Sequence, residues 1–155
     1  MAITTAMCTS FKGELLTATH NFSASGGNTF RLGLYAISGG GKSSTTATLG
    51  AATTAFTTTG EVASSGSYAT ASASANCNLT NVEPTTSSSK GFTDFSDISF
   101  TTATITARGA LIFNQSQSNK AVCALDFGGN KTSTAGTFTV SFPAKASGTA
   151  IIRIE

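Results

Sequence analysis

Residues 101–128, TTATITARGALIFNQSQSNKAVCALDFG, constrain the fold more than any other part of the chain. They hold its densest alternation of β-branched with small or apolar residues, the pattern of a half-buried strand. The pattern predicts two strands, 103–114 and 121–127, joined by the polar segment 115–120, as the central hairpin of a sheet. Before Arg108 neither parity is clean: Ile98 and Phe100 share one face with Thr102, Thr104 and Thr106, while Ala103, Ile105 and Ala107 share the other with Ser99 and Thr101. A strand of this kind is covered on both sides or changes register at a bulge. Gly109, inside an apolar run, predicts a bend, and Arg108 beside it is expected to pair with Asp126 on the neighbouring strand.

Composition agrees with a mainly β chain. Ser and Thr make up roughly a third of the residues, far above ordinary usage. The 155 residues suit one domain, and only 10% are charged. With 11 Phe and no Trp, the core is expected to rest on Phe, Leu, Ile and Val. The formal net charge of +2 comes from scattered Lys and Arg with no basic stripe, which argues against a nucleic-acid partner. So weakly charged a surface is poorly repelled from neighbours and suits a protein held in an assembly. No apolar run approaches a membrane span, and no secretory signal is expected. Three cysteines, an odd number, favour reduced thiols. Cys123 reads as a core residue. Cys77 falls in a small-residue loop, and an intermolecular disulfide through Cys8 or Cys77 is an open expectation.

The one helix expected spans about 4–20, with Thr4 or Thr5 as N-cap and Met7, Phe11, Leu15 and Ala18 on one face, widened by Cys8 and Leu16. Residues 29–37 read as a strand with Phe30, Leu32, Leu34 and Ala36 inward and Tyr35 on the other side; Gly33 marks a bulge or close approach. Weaker strands are expected at 52–58 and 77–82, the latter ended by Glu83-Pro84. Residues 60–75 read as a surface excursion, 85–91 as a loop and 128–136 as a turn. Residues 137–142 and 150–155 complete the strands, the last one an edge. The whole predicts one antiparallel β-sandwich domain over 1–155, jelly-roll-like or immunoglobulin-like, with an N-terminal helix.

Chemistry-bearing motifs are sparse. The run SGGGKSS at 38–44 has Ala36 where a phosphate-binding loop needs glycine and is followed by a Thr-rich, helix-poor stretch, so it reads as a linker. A lone histidine, His20, with three unpaired cysteines makes no zinc set and no nucleophile–base array; near the helix end it reads as a dipole partner. Asp94 and Asp97 are too few donors for calcium and read as turn caps. Four Asn-x-Ser/Thr sequons, at Asn21, Asn78, Asn114 and Asn130, are expected by chance in so Thr-rich a chain. The expectation is therefore no enzyme, no catalytic residue, no cofactor and no metal.

The segments AITTAMCTSFKGELL, TATHNF, FRLGLY, ATLGAATTAFTTTGEV, LTNVEPTT, FTDFSDISF, TITARGALIFN, NKAVCALDFG, TFTVSFP and AIIRIE, in that order, resemble a family of small tailed-bacteriophage proteins encoded among virion structural genes. The chain departs from the family in two places: SGGGKSS lengthens one loop, and SSGSYATASASANC is expanded and carries Cys77. The family supplies no catalytic or binding residues. The resemblance implies a structural protein of the virion, made in the host bacterial cytoplasm. Its first form is a capsid decoration or cement protein that binds the major capsid protein and copies of itself, with a trimer favoured by the three-fold positions of capsid lattices. The alternative is a tail, collar or fibre-attachment component with tail or neck partners.

Overall fold

The computed structural model describes residues 2–36 and 47–155, so the expectations for Ile37 and for the run 38–44 lie outside the described residues. The architecture is mainly β, two antiparallel sheets with one helix near the N-terminus. The larger sheet is built on β5 (Ile98–Asn114) and β6 (Lys120–Val140), which pair along almost their whole length. β1 (Ala6–Met7) flanks β6, and β2 (Phe30–Tyr35) flanks β5. The smaller sheet runs β3 (Asn81–Ser87), β4 (Lys90–Phe95), β7 (Ile152–Ile154). Helix α1 spans Thr9–Leu16.

The mixed parity of the hairpin has a direct cause. The ladder shifts register between Phe100 and Ala103, and Thr102 takes a positive φ of 52°. Burial follows Ile98 and Phe100 before the shift and Ala103, Ile105 and Ala107 after it. One extra residue at a bulge moves the apolar set to the other parity, so that it meets the core again. From Gly109 to Asn114 every residue is buried. A Cβ on Gly109 would lie 2.3 Å from the Leu125 carbonyl oxygen and 2.8 Å from Ile3, so this close approach demands glycine.

β2 is likewise covered on both faces. Phe30, Leu32 and Leu34 are buried as the alternation predicts, but Tyr35 is buried as well. Residues 47–62 close over that second side: Phe56 packs tilted against Phe113 at 4.6 Å and edge to face with Tyr35 at 6.3 Å, and a Cβ on Gly33 would meet the Phe56 ring at 3.0 Å. The two sheets meet through aromatic rings. Phe30 of β2 stacks on Phe22 at 4.3 Å, and both lean on Phe95 of β4.

Tertiary pairing overrides several local signals. Residues 4–8 are extended rather than helical: Ala6 and Met7 pair with Ala124 and Cys123, and the Cys8 amide donates to the Val122 carbonyl. The helix therefore starts at Thr9 with Cys8 as its N-cap, and Leu16 points out, 90% exposed. At 100° per residue it lies about 140° around the axis from buried Phe11. The region 52–58 makes a single bridge, Ala55 to Lys120, in place of a strand. Residues 75–77 form a 3₁₀ turn, and the strand begins at Asn81 and runs through Pro84. Proline is tolerated because β3 is an edge and a bulge lies between Val82 and Thr85. The expected loop at 85–91 is the tip of the β3–β4 hairpin, with Ser88 in the left-handed region. The expected turn at 128–136 is ladder, with Thr106 opposite Thr132 and Ala107 opposite Lys131. Cross-strand hydroxyl pairs, Thr106–Thr132 at 3.1 Å and Ser99–Thr139 at 2.8 Å, accompany this pairing despite the Gly-Gly-Asn signal.

Phe30→Ala is expected to lower the unfolding free energy by about 3–5 kcal/mol. Leu16→Ala should change it by no more than about 0.5 kcal/mol. Urea denaturation followed by circular dichroism checks both; equal losses in the two variants would contradict the packing described.

Candidate interaction surfaces

The residues singled out for chemistry turn out to have structural partners. Arg108 and Asp126 pair as expected, Nε to Oδ1 at 2.7 Å and one terminal nitrogen to Oδ2 at 3.0 Å. The hydrogen bond from Arg108, with one from the Gly128 amide, holds the Asp126 carboxyl below its ordinary value. Asp94 and Asp97 cap backbone: Asp94 accepts from the Phe95 and Ile151 amides, Asp97 from the Phe142 amide. Burial pushes the Asp94 carboxyl up in spite of those bonds. All three cysteines are buried and unbridged. Burial, with the nearby Glu14 carboxylate, raises the Cys8 thiol to about 11, and burial raises Cys77 to about 11. Cys77, expected in a small-residue loop, is thus enclosed, and the burial of Cys8 and Cys77 speaks against an intermolecular disulfide through either.

His20 lies beyond the helix, not within its last turn, and does more than face a dipole. Asn114 at the end of β5 donates its side-chain amide to His20 Nδ1 at 2.9 Å, so His20 carries its hydrogen on Nε2 and donates to Glu14 at 2.8 Å. Glu14 also accepts from Lys120 at 2.7 Å, and Asn114 donates to Asn28 at 2.9 Å. This clasp ties α1, the 21–28 turn and the tip of the central hairpin together. Burial works to raise the Glu14 carboxyl, but the Lys120 and His20 hydrogen bonds outweigh it and hold the group below its ordinary value.

A second polar node lies in the supposed surface excursion. Glu61 is fully buried and accepts from the Tyr68 hydroxyl at 2.9 Å and from the Ala71 amide at 2.7 Å. Tyr68 in turn accepts from the Leu34 amide at 2.9 Å. Val62, Tyr68 and Ala71 are buried with it, so residues 60–77 are docked on the sheet and are not a free loop. A Glu among small residues carries no sequence signal for such a role. Among the described residues no group of three or more His, Cys, Asp and Glu is placed to hold a metal ion. No described helix is long and apolar enough to cross a membrane.

Among the described residues two surfaces stand out as open. The first is the outer edge of β6. β1 pairs with it only at Cys123 and Ala124, so beyond Asp126 one side faces β5 and the other has no strand among the described residues. Residues 128–140 of this edge carry one charge, Lys131. Phe127, Lys131, Thr137, Phe138 and Val140 line a groove of about 380 Å³ along it. The opposite edge of the sheet is closed: Val62 and Leu79 donate their amides to the Leu34 and Phe30 carbonyls of β2. The second surface is an apolar groove of about 260 Å³ where α1 meets the smaller sheet, lined by Leu15, Phe22, Pro84, Phe92, Ile152 and Ile154. Ile154, 55% exposed, lines the groove, and Leu16, 90% exposed, follows Leu15 in the chain.

The clasp sets a pH dependence. Because the folded Glu14 lies below its ordinary value of 4.5, the unfolded chain binds its proton more readily. Its stabilisation is complete above the unfolded value and is lost as pH falls through the lower, folded one. The stability difference between wild type and Glu14→Gln is thus expected to be largest near neutrality and to shrink as the solution is acidified below pH 4.5. Urea midpoints measured across that range test this, and a difference persisting unchanged into acid would refute it.

Compared with protein-family models, curated proteins and solved structures, the chain matches none.

Proposed function

We propose that this chain is a structural protein of a tailed-bacteriophage virion, acting as a capsid decoration protein that binds the major capsid protein and copies of itself. The reading is supported by the ordered resemblance of its segments to small phage virion proteins. The observation that carries it is a pair of open surfaces among the described residues. One sheet edge is capped by irregular chain, while the β6 edge and the α1–β7 groove are left open. Natural sheets seldom leave a long, weakly charged edge unprotected, because it is a template for another chain. Here that template is the means of attachment.

The long free edge of β6 also favours a second reading, a tail, collar or fibre-attachment component. Successive copies would then join edge to edge into a ring or fibre. Quantitative mass spectrometry of purified particles separates the two. Hundreds of copies per particle on the head are expected for decoration. A few to a few dozen at one vertex would establish the second reading, and absence from particles would overturn both.

A further inference from the structure

We propose that the clasp around His20 is a proton-operated latch. It holds α1 and the 21–28 turn on the tip of the central hairpin while the imidazole is neutral, and a second proton on the ring releases it. Nothing in this latch depends on the virion role.

The hydrogen-bond directions in the clasp are set by one backbone group. The Asn21 amide can only donate, and it lies 2.9 Å from Asn28 Oδ1, so that atom is the side-chain oxygen. The same oxygen faces the Asn114 side chain at 2.9 Å, so Asn114 presents its NH2 there. That NH2 also meets His20 Nδ1 at 2.9 Å, which makes the ring nitrogen an acceptor. Asn28 holds the Asn114 amide in this sense although the Asn114 oxygen, fully buried, finds no partner among the described residues. With the hydrogen of His20 on Nε2, directed at Glu14, a second proton has only Nδ1 to bind. It would set one N–H against another across 2.9 Å. Reversing Asn114 would place its oxygen against Asn28 Oδ1, and reversing Asn28 as well would strip the Asn21 amide of its acceptor. Each way of accommodating the proton breaks one bond of the relay.

Charge acts in the same direction. Among the described residues the charged groups at His20 are Glu14 from α1 and, through Glu14, Lys120 from the start of β6. The other elements packed on the ring bring uncharged groups: Phe11 from α1, Phe22 and Asn28 from the turn, Phe30 from β2 and Asn114 from β5. Lys120 already lies 2.7 Å from Glu14 Oε1, so a neutral His20 leaves the cluster balanced, one cation against one anion. A second proton gives it a net positive charge centred on a fully buried side chain, which is costly in apolar surroundings. Histidine is the side chain whose charge changes between about pH 5 and 8. Release is thereby separated from the effect of protonating Glu14, which lies below pH 4.5.

Nitrogen-15 NMR of the purified full chain reads the ring, and amide hydrogen exchange, corrected for its intrinsic pH dependence, reads the clasp. At about pH 7.5 the ring is expected to carry its hydrogen on Nε2 alone. Between about pH 7.5 and 5.5, exchange in residues 9–16 and 21–28 should rise by about tenfold, the change that loss of one hydrogen bond gives, while residues 109–113 stay protected. His20→Gln still offers Glu14 an amide donor but takes up no proton, so its exchange should stay level over this range. Asn114→Asp sets a carboxylate against Nδ1 and holds the doubly protonated ring, so the rise should disappear there too. A hydrogen on Nδ1 at neutral pH, or exchange that stays level while the wild-type ring takes its second proton, would overturn the proposal. A rise of the same size in either variant would do so as well. All of these readings are made on the pure chain and leave the virion role as it stands.

Discussion

Every other part of this molecule is positioned by the ladder between β5 and β6. Its inner half, around residues 109–114 and 120–126, is buried on both faces and receives β1, β2, α1 and the 47–62 segment. Its outer half has a single covered face and a free edge. The bulge at 100–103 lies between Phe100, packed on Tyr68, and Ile105, and it keeps apolar residues directed to one core along the strand. Without that extra residue the outer half would turn its apolar set to solvent. Residues 65–67 are fastened to the same place. The Ser65 and Ser67 hydroxyls accept from the Thr104 and Thr101 amides, and a Cβ on Gly66 would stand 2.2 Å from the Thr101 carbonyl oxygen.

Among the polar groups enclosed by this packing, Glu61 and His20 are used as ties. A buried carboxylate or imidazole is costly unless its hydrogen bonds are met. Glu61 meets part of that demand through Tyr68 and Ala71 and thereby holds a segment of small residues that has little apolar area of its own. His20 sits between Glu14 and Asn114 and joins the helix to the hairpin tip. Such bonds are directional in a way that a cluster of phenylalanines is not. They fix where the excursion and the helix dock, while the aromatic layer of Phe22, Phe30 and Phe95 supplies adhesion between the sheets.

The β class, the hairpin, the inward set of β2, the Arg108–Asp126 pair and the capping by Asp94 and Asp97 were legible in the residues, because each depends on neighbours along one strand or its immediate partner. What depended on distant chain was not. Residues 4–8 have a helical pattern but become a strand because β6 offers a free edge. Gly128, Gly129 and Asn130 read as a turn, yet the Thr-rich sequence beyond them is held in the ladder by β5. The candidate surfaces were legible only in outline. The last strand stood out as an edge, but the groove is assembled from segments far apart in the chain. The exposure of Leu16 follows from its place about 140° around the helix axis from buried Phe11.

The three buried thiols have a consequence of another kind. A thiol near pH 11 is deprotonated in only about one molecule in ten thousand at neutral pH, and the thiolate is the reactive form. Cys8 lies at the start of the helix, Cys77 in the docked excursion and Cys123 in the central ladder. Cys8 and Cys123 share the contact between β1 and β6, while Cys77 is shielded apart from them. Their rates of alkylation therefore report on two regions, Cys8 and Cys123 on the opening of the β1–β6 contact and Cys77 on that of the docked excursion. The chain carries its own probes of local unfolding, without added labels, whether it is free or held by a neighbour.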